Sequence, residues 1–196
     1  MSENERVARA AVPLSKIIRT VTPDQLTAPT PCTEFDVRAL LNHLLFWGPS
    51  LIGAGRKESV SPPAAAESDV DLVTGDWAAA LETQLDELAT IWRDPVAWEG
   101  VTHMGGPTEL PSAMIGGMVV GELIVHGWDL SRALGTPVSW DDDLLADVYA
   151  ETAATAEQGR GMGIYGPEVS VSPDAPLIDR VLGVTGRDPG WQPPAR

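Results

Sequence analysis

Glu122 and His126 stand four residues apart in the run Glu122-Leu-Ile-Val-His126. On an α-helix that spacing puts a carboxylate and an imidazole on one face, about one turn apart. His43 lies in a second run of helical character, Leu40-Leu-Asn-His43-Leu-Leu-Phe-Trp47. Two such helices face to face offer two imidazoles and one carboxylate to a divalent metal. Three protein donors with positions left open describe a catalytic metal site better than a closed structural one. The plainer reading is that Glu-x-x-x-His pairs are common on helices and that His43 is a hydrogen-bonded core histidine. Two features weigh against it. His43 is flanked by Leu40, Leu41, Leu44 and Leu45, and Glu122 falls in the most apolar stretch of the chain, Ala113 to Val125. A carboxylate buried there without a partner is costly.

Other side chains near these three have two readings each. Asp129 follows His126 by three residues and either orients that imidazole from behind or pairs with Arg132. Trp47, one turn beyond His43, either walls a pocket or packs in the core. His103 falls in a connection and reads as a surface or structural histidine. Cys32 precedes a helix start, where the helix dipole lowers a thiol pKa, but no histidine is near it in sequence. No residue is identifiable as the one that moves protons. The chain has no Gly-rich phosphate loop, no H-E-x-x-H and no G-x-S-x-G elbow.

The elements that must position these groups are helices. Val7, Ala10, Ala11, Leu14, Ile17, Ile18 and Val21 form an amphipathic stripe that ends before Thr22-Pro23, with Pro13 inside it as a kink or a shifted start. Thr33 and Asp36 resemble a capping box, which predicts a second helix from about Glu34 to Ile52. Residues 53–73, rich in Gly, Pro, Ser and Ala, read as an exposed connection. Trp77, Leu81, Leu85, Leu88 and Trp92 share one face of a third helix that stops near Asp94-Pro95. Trp98 to Met104 reads as a short extended segment before a turn at Gly105-Gly106-Pro107. A fourth helix runs from about Pro111 to Ala133, and its small residues Ala113, Gly117 and Gly121 form a strip that would let a neighbouring helix approach. Gly135 reads as its stop. A fifth helix is expected near Trp140, with Ser139 and Asp142 as a capping box. The four principal helices imply an all-α four-helix bundle with additional C-terminal helices. The expected division is a bundle with its fifth helix over residues 1–158 and a tail over 159–196, whose short apolar stretch Leu177 to Val184 packs on the bundle.

At 196 residues the chain can bury a sizeable core. Thirteen basic residues against 28 acidic ones give a formal charge of −15. That argues against nucleic acid and against an anionic membrane surface, both of which need clustered Lys and Arg. A small anionic substrate stays compatible, because a bound cation reverses the local field. The single cysteine forbids an internal disulfide and fits a reducing compartment. The N-terminal run Met1-Ser-Glu-Asn-Glu-Arg6 is too polar for a secretory signal, and the apolar stretch 113–125 is too short to span a bilayer. The expectation is a cytoplasmic monomer or homodimer acting on a small molecule.

These residues also carry a family resemblance. Thr30-Pro-Cys32, leading to Asp36-Val-Arg-Ala-Leu-Leu-Asn-His43-Leu, resembles the entry to the second helix in the DinB-like superfamily. More narrowly, it resembles the actinobacterial branch that includes mycothiol-dependent maleylpyruvate isomerase. Glu122-Leu-Ile-Val-His126-Gly-Trp128-Asp129-Leu resembles the second metal-binding motif of that branch. The closing run from Ala175 to Trp191 is similar to the tail of a largely uncharacterised subgroup. The resemblance implies an up-down-down-up four-helix bundle. It also implies a divalent metal, usually zinc or nickel, held here by His43, Glu122 and His126. A low-molecular-weight thiol such as mycothiol would act as co-substrate on a small electrophile, giving an isomerase or an S-transferase. The alternatives are a hydrolase, with water instead in the open metal positions, and a non-catalytic metal-stabilised binding bundle. The isomerases of this branch carry a larger C-terminal domain that contributes to the active site, whereas here one short helix is expected after the bundle.

Overall fold

The apolar stripe of the first segment becomes helix α1 (Arg6–Ile18), which buries Val7, Ala10, Ala11, Leu14, Ile17 and Ile18. The computed structural model describes residues 3–194; Met1 and Ser2, at the head of the acidic N-terminal run, lie outside the described residues, as do Ala195 and Arg196. Pro13 sits within α1 without ending it. Helix α2 spans Val37–Gly55, starting and ending later than the sequence suggests. Its cap is Asp36, whose Oδ1 accepts from the Ala39 amide at 2.8 Å, and not Thr33. The reason lies just upstream, where Thr30 Oγ1 donates to the Phe35 carbonyl at 2.6 Å and closes residues 30–35 into a turn. That turn holds the chain out of helical conformation until Asp36.

Helix α3 (Trp77–Ile91) buries Leu81, Leu85 and Leu88. A two-stranded antiparallel hairpin follows, β1 (Val101–His103) with β2 (Glu109–Pro111), pairing Thr102 with Leu110. Trp98 belongs to the short 3-10 turn Pro95–Trp98 ahead of β1, not to the extended segment. Helix α4 (Ser112–Leu134) ends at Gly135, whose φ of 67° is the left-handed C-terminal cap that glycine adopts without strain. Helix α5 (Asp142–Gly161) is flanked by Asp141, which makes no side-chain capping bond and instead pairs with Arg9 at 2.7 Å. The Ser139 capping box is therefore absent. The expected division at residues 158–159 falls inside α5. Helix α6 (Leu177–Thr185) packs on α5.

Cross-ties set the helix directions. Gln84 Nε2 donates to the Leu44 carbonyl at 2.7 Å and Trp92 Nε1 to the Leu51 carbonyl at 3.1 Å, so α2 and α3 run parallel. Arg19 meets Glu82 at 3.1 Å while Asn4 reaches the Arg93 carbonyl at 2.8 Å, so α1 and α3 are antiparallel. Helix α1 packs mainly on α3 and α4, and α2 mainly on α3 and α4. The result is the up-down-down-up bundle of the DinB-like fold. Parallel neighbours need a long crossover, which is the service performed by residues 56–76. It is stapled to α2 by Arg38, which pairs with Asp71 and donates to the Val73 carbonyl at 2.9 Å. Asn42 adds a second staple by accepting from the Leu72 amide at 2.7 Å.

The buried tryptophans Trp92, Trp98 and Trp140 each have the indole N–H satisfied by a backbone carbonyl. Trp98 donates to Trp92 at 2.7 Å and Trp140 to Ala10 at 3.1 Å. Gly116 is the close-approach glycine of α4, since a Cβ there would lie 2.4 Å from the Trp98 ring. Helix α4 outruns the apolar stretch 113–125 and is, by length and composition alone, able to cross a membrane. Within the bundle, 67% of its apolar window is buried, and it carries Glu122, His126 and Asp129. It is the core helix of this bundle.

Candidate metal centre

His43 on α2 and the pair Glu122 and His126 on α4 converge. One donor atom from each lies within 4.8 Å of the others. Glu122 Oε1 is 2.6 Å from His43 Nε2 and 3.3 Å from His126 Nε2, so a carboxylate oxygen stands between the two imidazoles. Among the described residues no fourth His, Cys, Asp or Glu joins this cluster.

The far nitrogen of each ring is held by another carboxylate. His43 Nδ1 lies 3.0 Å from Glu67, and His126 Nδ1 lies 3.0 Å from Asp129. An acceptor at Nδ1 holds a proton there and aims Nε2 at Glu122. Asp129 is fully buried and also accepts from Arg187 Nη2 at 3.3 Å. Arg132, the alternative partner, instead donates to the Trp191 carbonyl at 2.5 Å. Trp47 is absent from the cavity wall described below; its indole donates to Glu67 Oε1 at 2.6 Å and helps aim that carboxylate at His43. Phe35 packs against His43 at 5.1 Å between ring centroids, closing the apolar side.

Electrostatics express the appetite of this cluster for positive charge. Burial pushes the Glu122 carboxyl up, but the His126 and His43 imidazoles outweigh it and hold Glu122 well below the usual carboxylate range. Burial pushes His126 down, yet the Glu122 charge and the bonds to Asp129 and Glu122 raise it to about 9. His43 is raised as well, its burial being outweighed by the bond to Glu122 and the charge there. Protons on the rings or a cation among the three donors satisfy the same field. Two imidazole nitrogens and a carboxylate oxygen, with oriented rings, are a fitting donor set for zinc or nickel.

A cavity of about 450 Å³ opens beside Glu122 and His126. Ala113, Gly117 and Gly121 line it. Periodicity places the three on one face; α5 approaches that face at Gly117, where an added Cβ would lie 2.7 Å from Glu151 Oε2, and leaves it open at Gly121, where an added Cβ would meet nothing within 4 Å. Arg187, from the tail after α6, lines the same cavity. Cys32 is buried, and burial pushes its thiol pKa up, opposite to the effect expected of a helix start. It lies five residues before α2, beyond the reach of the dipole at the first turn. His103 on β1 takes no part in the cluster.

Glu67 and Arg187 are the site residues that sequence reasoning missed. Glu67 is brought in by the crossover, and no periodicity links a loop position to α2. Arg187 lies in the closing run singled out for its resemblance, which was the available signal. Glu67→Ala is expected to weaken metal affinity by about 10- to 100-fold, the usual effect of losing a group that orients a ligating imidazole. Competition with a chromophoric chelator measures it. An unchanged affinity would remove Glu67 from the site.

The sequence profile described as mycothiol maleylpyruvate isomerase N-terminal domain matches residues 7–131, a span that includes His43, Glu122 and His126. Two uncharacterized proteins from two strains of Mycobacterium tuberculosis, Rv0738 and MT0763, are each 26% identical over 189 residues, covering 91% of this chain and 94% of theirs. A crystal structure of the mycothiol-dependent maleylpyruvate isomerase is similar with a TM-score of 0.65 at 15% identity, covering 99% of this chain and 97% of that one. A mutant of that isomerase gives a TM-score of 0.62 at 14% identity, covering 98% and 83%. At such identities the likeness is one of fold.

Proposed function

The chain belongs to the mycothiol maleylpyruvate isomerase N-terminal domain family, and from that premise we propose that it is a metal-dependent enzyme using a low-molecular-weight thiol such as mycothiol on a small electrophilic substrate, as an isomerase or S-transferase. One observation carries this reading: the three-donor cluster is oriented from behind by Glu67 and Asp129 and faces a cavity instead of a fourth protein donor. His43, Glu122 and His126 would hold zinc or nickel. A divalent cation there stabilises a thiolate at neutral pH.

The chain's own residues supply the rest. Glu67 and Asp129 keep both imidazoles in the tautomer that presents Nε2. Phe35 packs against both imidazoles, with ring centroids 5.1 Å and 6.3 Å away. Arg187, with its side chain only 11% exposed, gives an anionic group in the cavity a cationic partner. Cys32, buried and with its thiol pKa raised, is not the nucleophile; the thiol comes from the co-substrate. A reducing, cytoplasmic setting suits that chemistry. Turnover of electrophiles by metal-loaded protein, with and without added thiol, tests the reading. Turnover independent of thiol would point to a hydrolase.

Glu122→Gln gives a direct check on the ligand set. The variant keeps the size and loses the charge, and an amide is a poor ligand. Metal at 100 times its dissociation constant should stabilise the wild type by about 2.7 kcal/mol. The same addition should leave the Tm of the variant nearly unmoved. Equal stabilisation of both proteins would rule Glu122 out as a ligand.

A further inference from the structure

We propose that the substrate of this site carries an apolar body several carbons long, seated in a methionine-lined trough beside the three-donor cluster. Its role as substrate rests on the reading above; its binding does not. All four methionines among the described residues, Met104, Met114, Met118 and Met162, line the one cavity. Methionine is unbranched and polarisable, and it moulds to apolar ligands of varied outline. The Ala113, Gly117 and Gly121 strip of α4 lines the same cavity, beside Met114 and Met118 of that helix. Glycine weakens a helix interior, and at Gly121 no neighbouring side chain occupies the space so released. Met162 and Ile164, 61% and 44% exposed, belong to the same lining, so apolar surface continues from the trough out to solvent.

The cluster end of the cavity is polar, and Glu3, Glu151, Thr152, Thr155, Gln158 and Tyr165 add further polar groups to the lining elsewhere. Glu122 and His126 belong to the cluster, and Arg187 meets Asp129 behind it. The Nε atom of Arg187 is buried without a hydrogen-bond partner in the structure. A compact polar substrate would engage this end and leave the methionine wall against water. A ligand with an anionic head and an apolar body matches both ends.

The test is calorimetric titration of the full chain, metal-loaded and metal-free, with straight-chain carboxylates from butanoate to decanoate. Affinity should tighten by about fourfold per methylene that enters the trough, then level off. Gly121 has ordinary helical geometry and no close neighbour, so Gly121→Leu fits the helix and projects its side chain into the trough. The variant should weaken decanoate at least tenfold more than butanoate. Met118→Gln, similar in size but polar, should flatten the series and serves as a second probe if Gly121→Leu fails to fold. A flat series in the wild type overturns the proposal, and so does a series unchanged in the variants. If the series and its loss are seen in protein that binds no metal, the trough stands and the metalloenzyme reading falls. If metal binds and the series is flat, the reverse holds.

Discussion

Replacing His126 with alanine is expected to strip the protein of its metal. Wild-type protein purified without chelator should carry near-stoichiometric zinc or nickel by elemental analysis. The imidazole is 6% exposed, its Nε2 faces Glu122 at 3.3 Å, and its Nδ1 is anchored at 3.0 Å to Asp129. A ligand held this firmly has no substitute, because among the described residues the cluster has three members. Loss of an orienting partner costs about 10- to 100-fold in affinity, and loss of the ligand itself should exceed that. His43→Ala should behave alike, being the single donor from α2. Both variants should stay folded, since the apolar faces of α2 and α4 are untouched. Full occupancy in both would remove these residues from the metal site.

The largest effect on stability is expected at Asp129. This carboxylate has no solvent exposure and pairs with Arg187 at 3.3 Å as well as with His126. Asp129→Ala leaves the Arg187 guanidinium enclosed without its counter-charge. Breaking a buried pair from one side costs about 3–5 kcal/mol. In a domain of this size that lowers Tm by roughly 10 °C. Adding Arg187→Met should restore most of the loss, because the double variant no longer encloses an unpaired charge. Thermal unfolding of both single variants and the double variant measures the coupling. A loss below about 1 kcal/mol in Asp129→Ala would mean that the pair does not bind the tail to the bundle.

Some of this was legible in the residues and some was not, for physical reasons. The helices were visible because buried faces repeat at 3.6 residues: the stripe from Val7 to Ile18 and the face from Trp77 to Leu88 are both helical where expected. The same period brought Glu122 and His126 to one face, and the cluster with His43 follows once α2 and α4 pack. Periodicity says which residues share a face but not what lies opposite. The strip at Ala113, Gly117 and Gly121 was therefore legible as a strip and illegible as a cavity wall. Cap positions depend on local turns, and the turn at Thr30 displaced the start of α2 past Thr33. Glu67 and Arg187 reach the site through a crossover and a tail, whose paths no spacing rule encodes.

The parallel arrangement of α2 and α3 bears on how the chain assembles. In a bundle of alternating helices, each consecutive pair can close as a local hairpin before the rest arrives. Here α1 packs mainly on α3 and α4, and no consecutive pair is antiparallel and adjacent within the four-helix core. Three of the four principal packings of that core, α1 with α4, α1 with α3 and α2 with α4, join non-consecutive helices, which raises contact order and slows folding relative to simpler helical bundles. The donor cluster needs α2 and α4 together, its support needs the crossover, and Asp129 needs the tail. Productive site geometry is thus a late event, completed only when the most distant parts of the polypeptide have met.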